Sequence, residues 1–206
     1  MQAAKGGMRV AVAEKYTQIG GGCTHWGTIP SKALRHTITA YMQALKNPVL
    51  REMGINTSPT MEQLKRGTQA IIGQQVTMRQ SFYDRNNVPV LRGTARFIDE
   101  HTITVGDCEP IRAKNFVVAT GTRPYHPPFV DFNHPNIYDS DTILGLESKP
   151  ASIAVYGAGV IGTEYASMLR NMGVKINLSI RGTSCWNSLT MKLRMLCPIT
   201  CATKVL

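Results

Sequence analysis

The sequence predicts an α/β fold of the kind that binds dinucleotides, and three stretches carry that prediction. Met8-Arg-Val-Ala-Val-Ala-Glu14 reads as a short buried strand ending in an acid. Gly20-Gly-Gly-Cys-Thr-His-Trp-Gly-Thr-Ile-Pro-Ser-Lys32 is a glycine-rich turn running into a helix, with Pro30 in its first turn. Ser152-Ile-Ala-Val-Tyr156 is a second strand that enters Gly157-x-Gly159-x-x-Gly162 and then a helix. A glycine turn at a helix N-terminus offers unpaired amides and a positive dipole end, which suit a phosphate. An acid at a strand end suits a ribose.

The remaining elements follow in order. Met1–Gly7 reads as the end of a helix stopped by glycine. In dinucleotide folds the ribose acid lies about 20 residues beyond the G-x-G-x-x-G turn. With the acid at Glu14, that turn is expected to precede Met1, so that the chain begins inside its first nucleotide fold. After the Ser31 helix, Asn47-Pro48 and Asn56–Pro59 are expected turns. Met61, Leu64, Ile71, Ile72, Val76 and Phe82 recur at helical spacing and predict one long amphipathic helix packed on a sheet.

Val88–Leu91, Thr94–Ile98, Thr102–Val105 and Asn115–Ala119 are short β-type runs. Tyr125–Pro128 and His134-Pro135 break regular structure. A helix over Thr163–Met172, stopped by Gly173, and a strand over Val174–Leu178 complete the second nucleotide fold. Asp139 and Asp141 read as turn or cap residues.

Bulk properties exclude several classes. The 206 residues are 43% hydrophobic, ordinary for a globular protein. No apolar run is long enough to span a bilayer and no signal-peptide pattern opens the chain, so the expectation is a cytoplasmic protein without a membrane partner. The five cysteines, odd in number and irregular in spacing, form no disulfide framework. The net charge of +10 lacks a basic stripe with interleaved aromatics, which argues against nucleic acid. Tyr165–Leu206 contains no Asp or Glu, and three of the five cysteines lie in the last 28 residues. Ser184–Cys201 has no clear helical or strand period, and residues 179–206 are expected to be an aberrant tail, as a frame shift would produce. Cys185, Cys197 and Cys201 make no convincing metal site there, because no His accompanies them.

Glu14–Lys32, Ala119-Thr-Gly-Thr-Arg-Pro124 and Gly157–Gly162 together resemble the FAD-dependent pyridine nucleotide-disulfide oxidoreductase family. Cys23–Lys32, Ala95–His101 and Arg123–His126 are similar to its soluble pyridine nucleotide transhydrogenase branch. The resemblance covers residues 1–178. It implies an incomplete two-dinucleotide-binding, Rossmann-like flavoprotein fold: an FAD-binding domain over 1–147 without its first strand, and the start of an NAD(P)-binding domain over 148–178. It implies FAD as cofactor, NAD(P) as substrate and, for full-length members, a homodimer that this chain is not expected to form.

The resemblance also implies site residues. Glu14 would take the ribose and Gly20, Gly21, Gly22 and Cys23 the flavin nucleotide, with Lys15, Tyr16, Thr17, Gln18 and Ile19 between them. Lys32 would lie beside the isoalloxazine, Ala95 near the adenine, and Thr120 and Gly121 near the flavin nucleotide. Gly157, Gly159 and Gly162 would serve the second nucleotide. Disulfide reductases of the family carry a second cysteine five positions after the first, whereas here Thr28 follows Cys23. A threonine cannot form a disulfide, so the implied chemistry is hydride exchange between NADPH and NAD through FAD, with no catalytic side chain. Two alternatives stand beside this reading. A dihydrolipoyl dehydrogenase-like flavoprotein is disfavoured by Thr28, and a nucleotide-binding fragment without turnover is the expected behaviour of the isolated chain.

Overall fold

The computed structural model describes residues 1–54, 57 and 59–179, and the chain falls into two compact units. Met1–Ile29 and Ala70–Tyr125 form the first; Pro30–Gln69 and the chain from His126 onward form the second. Asn56, in one expected turn, and residues 180–206 of the expected tail lie outside the described residues.

In the first unit, α1 (Gln2–Lys5) ends at Gly6 and is followed by β1 (Val12–Glu14). β1 is half the expected length, and Ala13 on it is exposed rather than buried. It pairs in parallel with β2 (Val90–Arg92), with Glu14 opposite Arg92. The pairing continues past the strand ends, where Val12 N donates to Pro89 O and Gly93 N to Glu14 O. β3 (Ala95–Asp99), β4 (Thr102–Val105) and β5 (Ile111–Arg112) form an antiparallel meander with Val105 fully buried. The tight turn between β3 and β4 is fixed by Asp99, whose carboxylate accepts the His101 amide at 2.7 Å. Backbone donors from His101 and the Thr102 side chain hold that carboxyl below its ordinary range.

Asn115–Ala119 is not a strand. Val117 is 92% and Val118 71% exposed, and β-branched residues favour a ladder only where one is there to join.

Helices α2 (Gly21–His25) and α3 (Thr28–Lys46) replace the simple loop expected at the glycines, because Gly21 and Gly22 are themselves helical. Pro30 lies in the first turn of α3, where its missing N–H leaves no bond unmade. Asn47-Pro48 opens a short helix, α4 (Pro48–Glu52), in which Asn47 Oδ1 caps the Val49 amide at 3.0 Å and Pro48 takes the first position. α5 (Met61–Arg85) is the predicted long helix. It opens with a capping box, in which Thr60 Oγ1 accepts from Gln63 N and Gln63 Oε1 from Thr60 N. Of its predicted apolar face only Met61 and Leu64 are fully buried, while Phe82 is 39% exposed.

The second unit is built around one hydrophobic cluster. β6 (Ser152–Tyr156) and β7 (Lys175–Ser179) pair in parallel from Ser152–Lys175 to Tyr156–Ser179. α6 (Val160–Asn171) is the crossover between them and starts three residues earlier than the sequence predicts. Strand alternation turns Ile176 and Leu178 inward, against Tyr165, Ala166, Met168 and Leu169 of α6. Leu34 and Ile38 of α3, with Met61 and Leu64 of α5, complete the core at helical spacing.

Candidate functional site

The candidate residues of the first unit gather where β1 ends. Glu14 Oε1 accepts the Tyr16 amide at 3.0 Å, which turns the chain out of the strand. Arg92, opposite Glu14 on β2, donates to Tyr16 O at 2.8 Å. Thr17, Gln18 and Ile19 then border a cavity of about 380 Å³, with Val76, Gln80 and Asp84 of α5 on its other side. Ile19 is buried and its carbonyl lies 2.9 Å from His25 Nε2, which ties the start of the glycine turn to the end of α2.

Gly20 has φ +120°, and a Cβ there would lie 2.5 Å from Thr24 Oγ1, so no other residue fits. Thr24 is fully buried, and among the described residues its hydroxyl has no hydrogen-bond partner. Cys23 is exposed on α2. The other free cysteine of the described residues is Cys108, also exposed, so Cys23 has no disulfide.

Trp26 sits between the glycines and α3. Its ring meets Tyr16 edge-on at 5.3 Å, and the Arg123 guanidinium lies 4.0 Å from its centroid. Arg123 also donates to the Tyr16 hydroxyl, and that bond holds the phenol below its ordinary pKa. Lys15 Nζ lies 5.0 Å from the Tyr16 ring centre. Thr120 and Gly121 are exposed three and two positions before Arg123, and Ala95 is exposed at the start of β3. A Cβ at Gly21 or Gly121 would meet nothing within 4 Å, so these backbones face open space that a ligand can use.

In the second unit β6 runs into Gly157, whose amide donates to Ser179 O at 3.0 Å and extends the ladder by one residue. A Cβ on Gly162 would lie 2.0 Å from Gly157 O, which is the close strand–helix approach that the third fingerprint glycine permits. Gly159 caps α6, and a Cβ at Gly157 or Gly159 would meet nothing within 4 Å. The amides at the start of this twelve-residue helix therefore stand over open backbone.

Lys32 belongs to this unit and is held by Glu164 of α6 at 2.5 Å, with Arg35 3.6 Å from the same oxygen. Glu164 is 12% exposed by side chain, so it is a shielded anion between two cations. Burial, followed by the Glu164 and Asp141 charges, raises the neighbouring Tyr165 phenol well above its ordinary range, and its hydroxyl lies 3.4 Å from Ser140 O. Asp139 accepts from Asp141 N, Thr142 N and His126 Nε2, the last at 2.7 Å. Burial raises its pKa, but these bonds outweigh burial and hold the carboxyl below its ordinary value. The structure thus gives Asp139 the expected turn-fixing role and adds His126 as its partner.

Sequence reasoning missed the contacts of Arg123 and of Glu164. Glu164 carried one signal: it is the last acid in the chain and follows the Gly162 fingerprint by two residues.

The chain has relatives among known proteins. Residues 1–197 match the family described as pyridine nucleotide-disulphide oxidoreductase. The chain is 49% identical over 178 residues to the soluble pyridine nucleotide transhydrogenases of Escherichia coli O1:K1 and of Klebsiella pneumoniae, which is 84% of this chain and 38% of theirs. The chain therefore spans well under half the length of these curated relatives. A solved structure, the HOCl-induced flavoprotein disulfide reductase RclA from Escherichia coli, superposes with a TM-score of 0.69 at 27% identity, over 86% of this chain and 38% of that one.

Proposed function

The chain belongs to the pyridine nucleotide-disulphide oxidoreductase family, and on that premise we propose that it is the nucleotide-binding part of an FAD-dependent transhydrogenase that exchanges hydride between NADPH and NAD. Residues 1–147 form the FAD side, 148–178 the start of the NAD(P) side, and 179–206 an aberrant tail. The complete enzyme would act in the cytoplasm as a homodimer.

When bound, FAD supplies the centre that accepts and returns the hydride. The chain's own residues bind and orient. Glu14 takes a ribose hydroxyl with the carboxylate that now accepts from Tyr16 N. Gly20–Cys23 offer the backbone of α2, and Thr120-Gly121 close on the flavin nucleotide. Lys15–Ile19 line the same end of β1, and Ala95 borders the adenine. Gly157, Gly159 and Gly162 present the α6 amides to the pyrophosphate of the nicotinamide nucleotide. Lys32, paired with Glu164, would lie beside the isoalloxazine as a binding cation.

The observation that carries hydride exchange over thiol relay is the state of Cys23. Thr28 stands five residues on, and among the described residues Cys23 forms no disulfide. The test is to alkylate the exposed Cys23 in the FAD-loaded protein and follow flavin bleaching by NADPH. Bleaching that survives alkylation supports the assignment. Bleaching abolished both by alkylation and by Cys23→Ser would show a thiol in the electron path and overturn it.

A further inference from the structure

Two segments of the first unit, about a hundred residues apart in sequence, meet at the Arg123 side chain. Glu14 and Arg92 fix the backbone of Tyr16 through its N–H and C=O. Trp26 is fixed through its own N–H to Gly22 O at 3.1 Å. The Arg123 guanidinium lies 4.0 Å from the Trp26 centroid and 5.4 Å from that of Tyr16, and it also donates to the Tyr16 hydroxyl.

Val117–Gly121 is exposed, without helix or strand, and no turn or loop hydrogen bond between backbone groups of the described residues involves Val117–Thr122. Gly121 adds a left-handed turn, φ +74°, that an L side chain would disfavour.

From this juxtaposition we propose that Arg123 is a positioning residue: by stacking on Trp26 and Tyr16 it fastens the Thr120-Gly121 turn to the glycine segment and so sets how tightly the flavin nucleotide is gripped. The inference rests on the assignment of Thr120-Gly121 to the flavin nucleotide. It requires arginine specifically. A planar guanidinium stacks on one ring while donating to the other hydroxyl, whereas a lysine ammonium is a hydrated point charge that cannot do both. Trp26 stands inside the four-residue interval between Cys23 and Thr28, so the same contact presses on the segment that carries the unpaired thiol.

The experiment uses the full 206-residue chain in a Trp186→Phe background, which leaves Trp26 as the one tryptophan. Arg123→Gln, Arg123→Lys and Trp26→Phe are compared with the parent by amide exchange at Thr120 and Gly121 and by FAD titration, and the two Arg123 variants also by acrylamide quenching of Trp26. Arg123 is exposed, so the variants should fold with unchanged midpoints in urea. The expected result is exchange at Thr120 and Gly121 faster by about three- to tenfold in both arginine variants, with FAD affinity lower by the same factor. Trp26→Phe, which keeps a weaker ring, should fall between.

Unchanged exchange in Arg123→Gln would overturn the proposal. So would full rescue by Arg123→Lys, which would reduce the effect to charge. Faster exchange with unaltered FAD affinity would leave Arg123 a structural residue only and overturn it as well. A parent chain that takes up no FAD would instead overturn the cofactor assignment, and it is told apart because failure of the clamp leaves the parent's flavin binding intact.

Discussion

The glycines of the second unit rest on a hydrophobic floor, whereas those of the first hang on polar and cation–ring contacts. Gly157–Gly162 joins β6 to α6, and beneath it Ile176, Leu178, Ala166, Met168 and Leu169 are all buried. Gly20–Gly22 is held by His25 on Ile19 O, by Trp26 and by a buried Thr24 whose hydroxyl has no partner among the described residues. The strands beside it, β1 and β2, contain no fully buried residue. Packing of the first kind is insensitive to charge, while contacts of the second kind respond to single side chains without loss of a core. The same task, presenting backbone to a nucleotide, is thus done once by burial and once by directed contacts.

The largest expected effect comes from breaking the floor. Met168 is 2% exposed, and Met168→Ala should cost about 2–5 kcal/mol in urea unfolding. Leu91→Ala, at a half-buried place on β2, should cost about 1 kcal/mol. Equal costs at the two sites would erase the contrast. A smaller effect of opposite sign is expected in the first unit. Thr24→Val keeps the shape and removes a buried hydroxyl that nothing satisfies, so stability should rise by about 1 kcal/mol. A loss of stability instead would mean that the hydroxyl is bonded.

The smallest effect concerns pH. Asp139 is held below its ordinary value in the folded chain. Its contribution is therefore complete above the unfolded carboxylate value, about 4, and is lost as pH falls through the lower folded value. Asp139→Asn should flatten that acid limb of stability while leaving neutral-pH behaviour nearly unchanged. An acid limb of unaltered slope would place the titration elsewhere.

How much of this was legible in the sequence follows the same division. Strand β6, the fingerprint and α6 could be read because every determinant lies within a few residues: the alternation, the glycines and the terminating Gly173. Only the start of α6 was misplaced, since Val160 and Ile161 were counted as turn. The long helix α5 was legible from its period, but periodicity says which residues share a face, not whether anything covers it, and Phe82 is in fact exposed. Asn115–Ala119 reads as a strand from propensity alone, yet strand formation needs a neighbour to hydrogen-bond, and propensity cannot supply one. The contacts of Arg123, a residue already inside two matched motifs, were invisible for a different reason. Its partners Tyr16 and Trp26 lie about a hundred residues away, and nothing in a local pattern links them. Glu164 with Lys32, 132 positions apart, is the parallel case in the second unit.

The central claim is that the directed contacts of the first unit bind a flavin nucleotide. The most direct measurement is the visible spectrum of the purified 206-residue chain after FAD is added and unbound cofactor is removed by desalting. A retained flavin band in equimolar amount is expected, lost stepwise on substitution of Glu14 and Gly20. A colourless protein, with these residues intact and the chain folded, would contradict it.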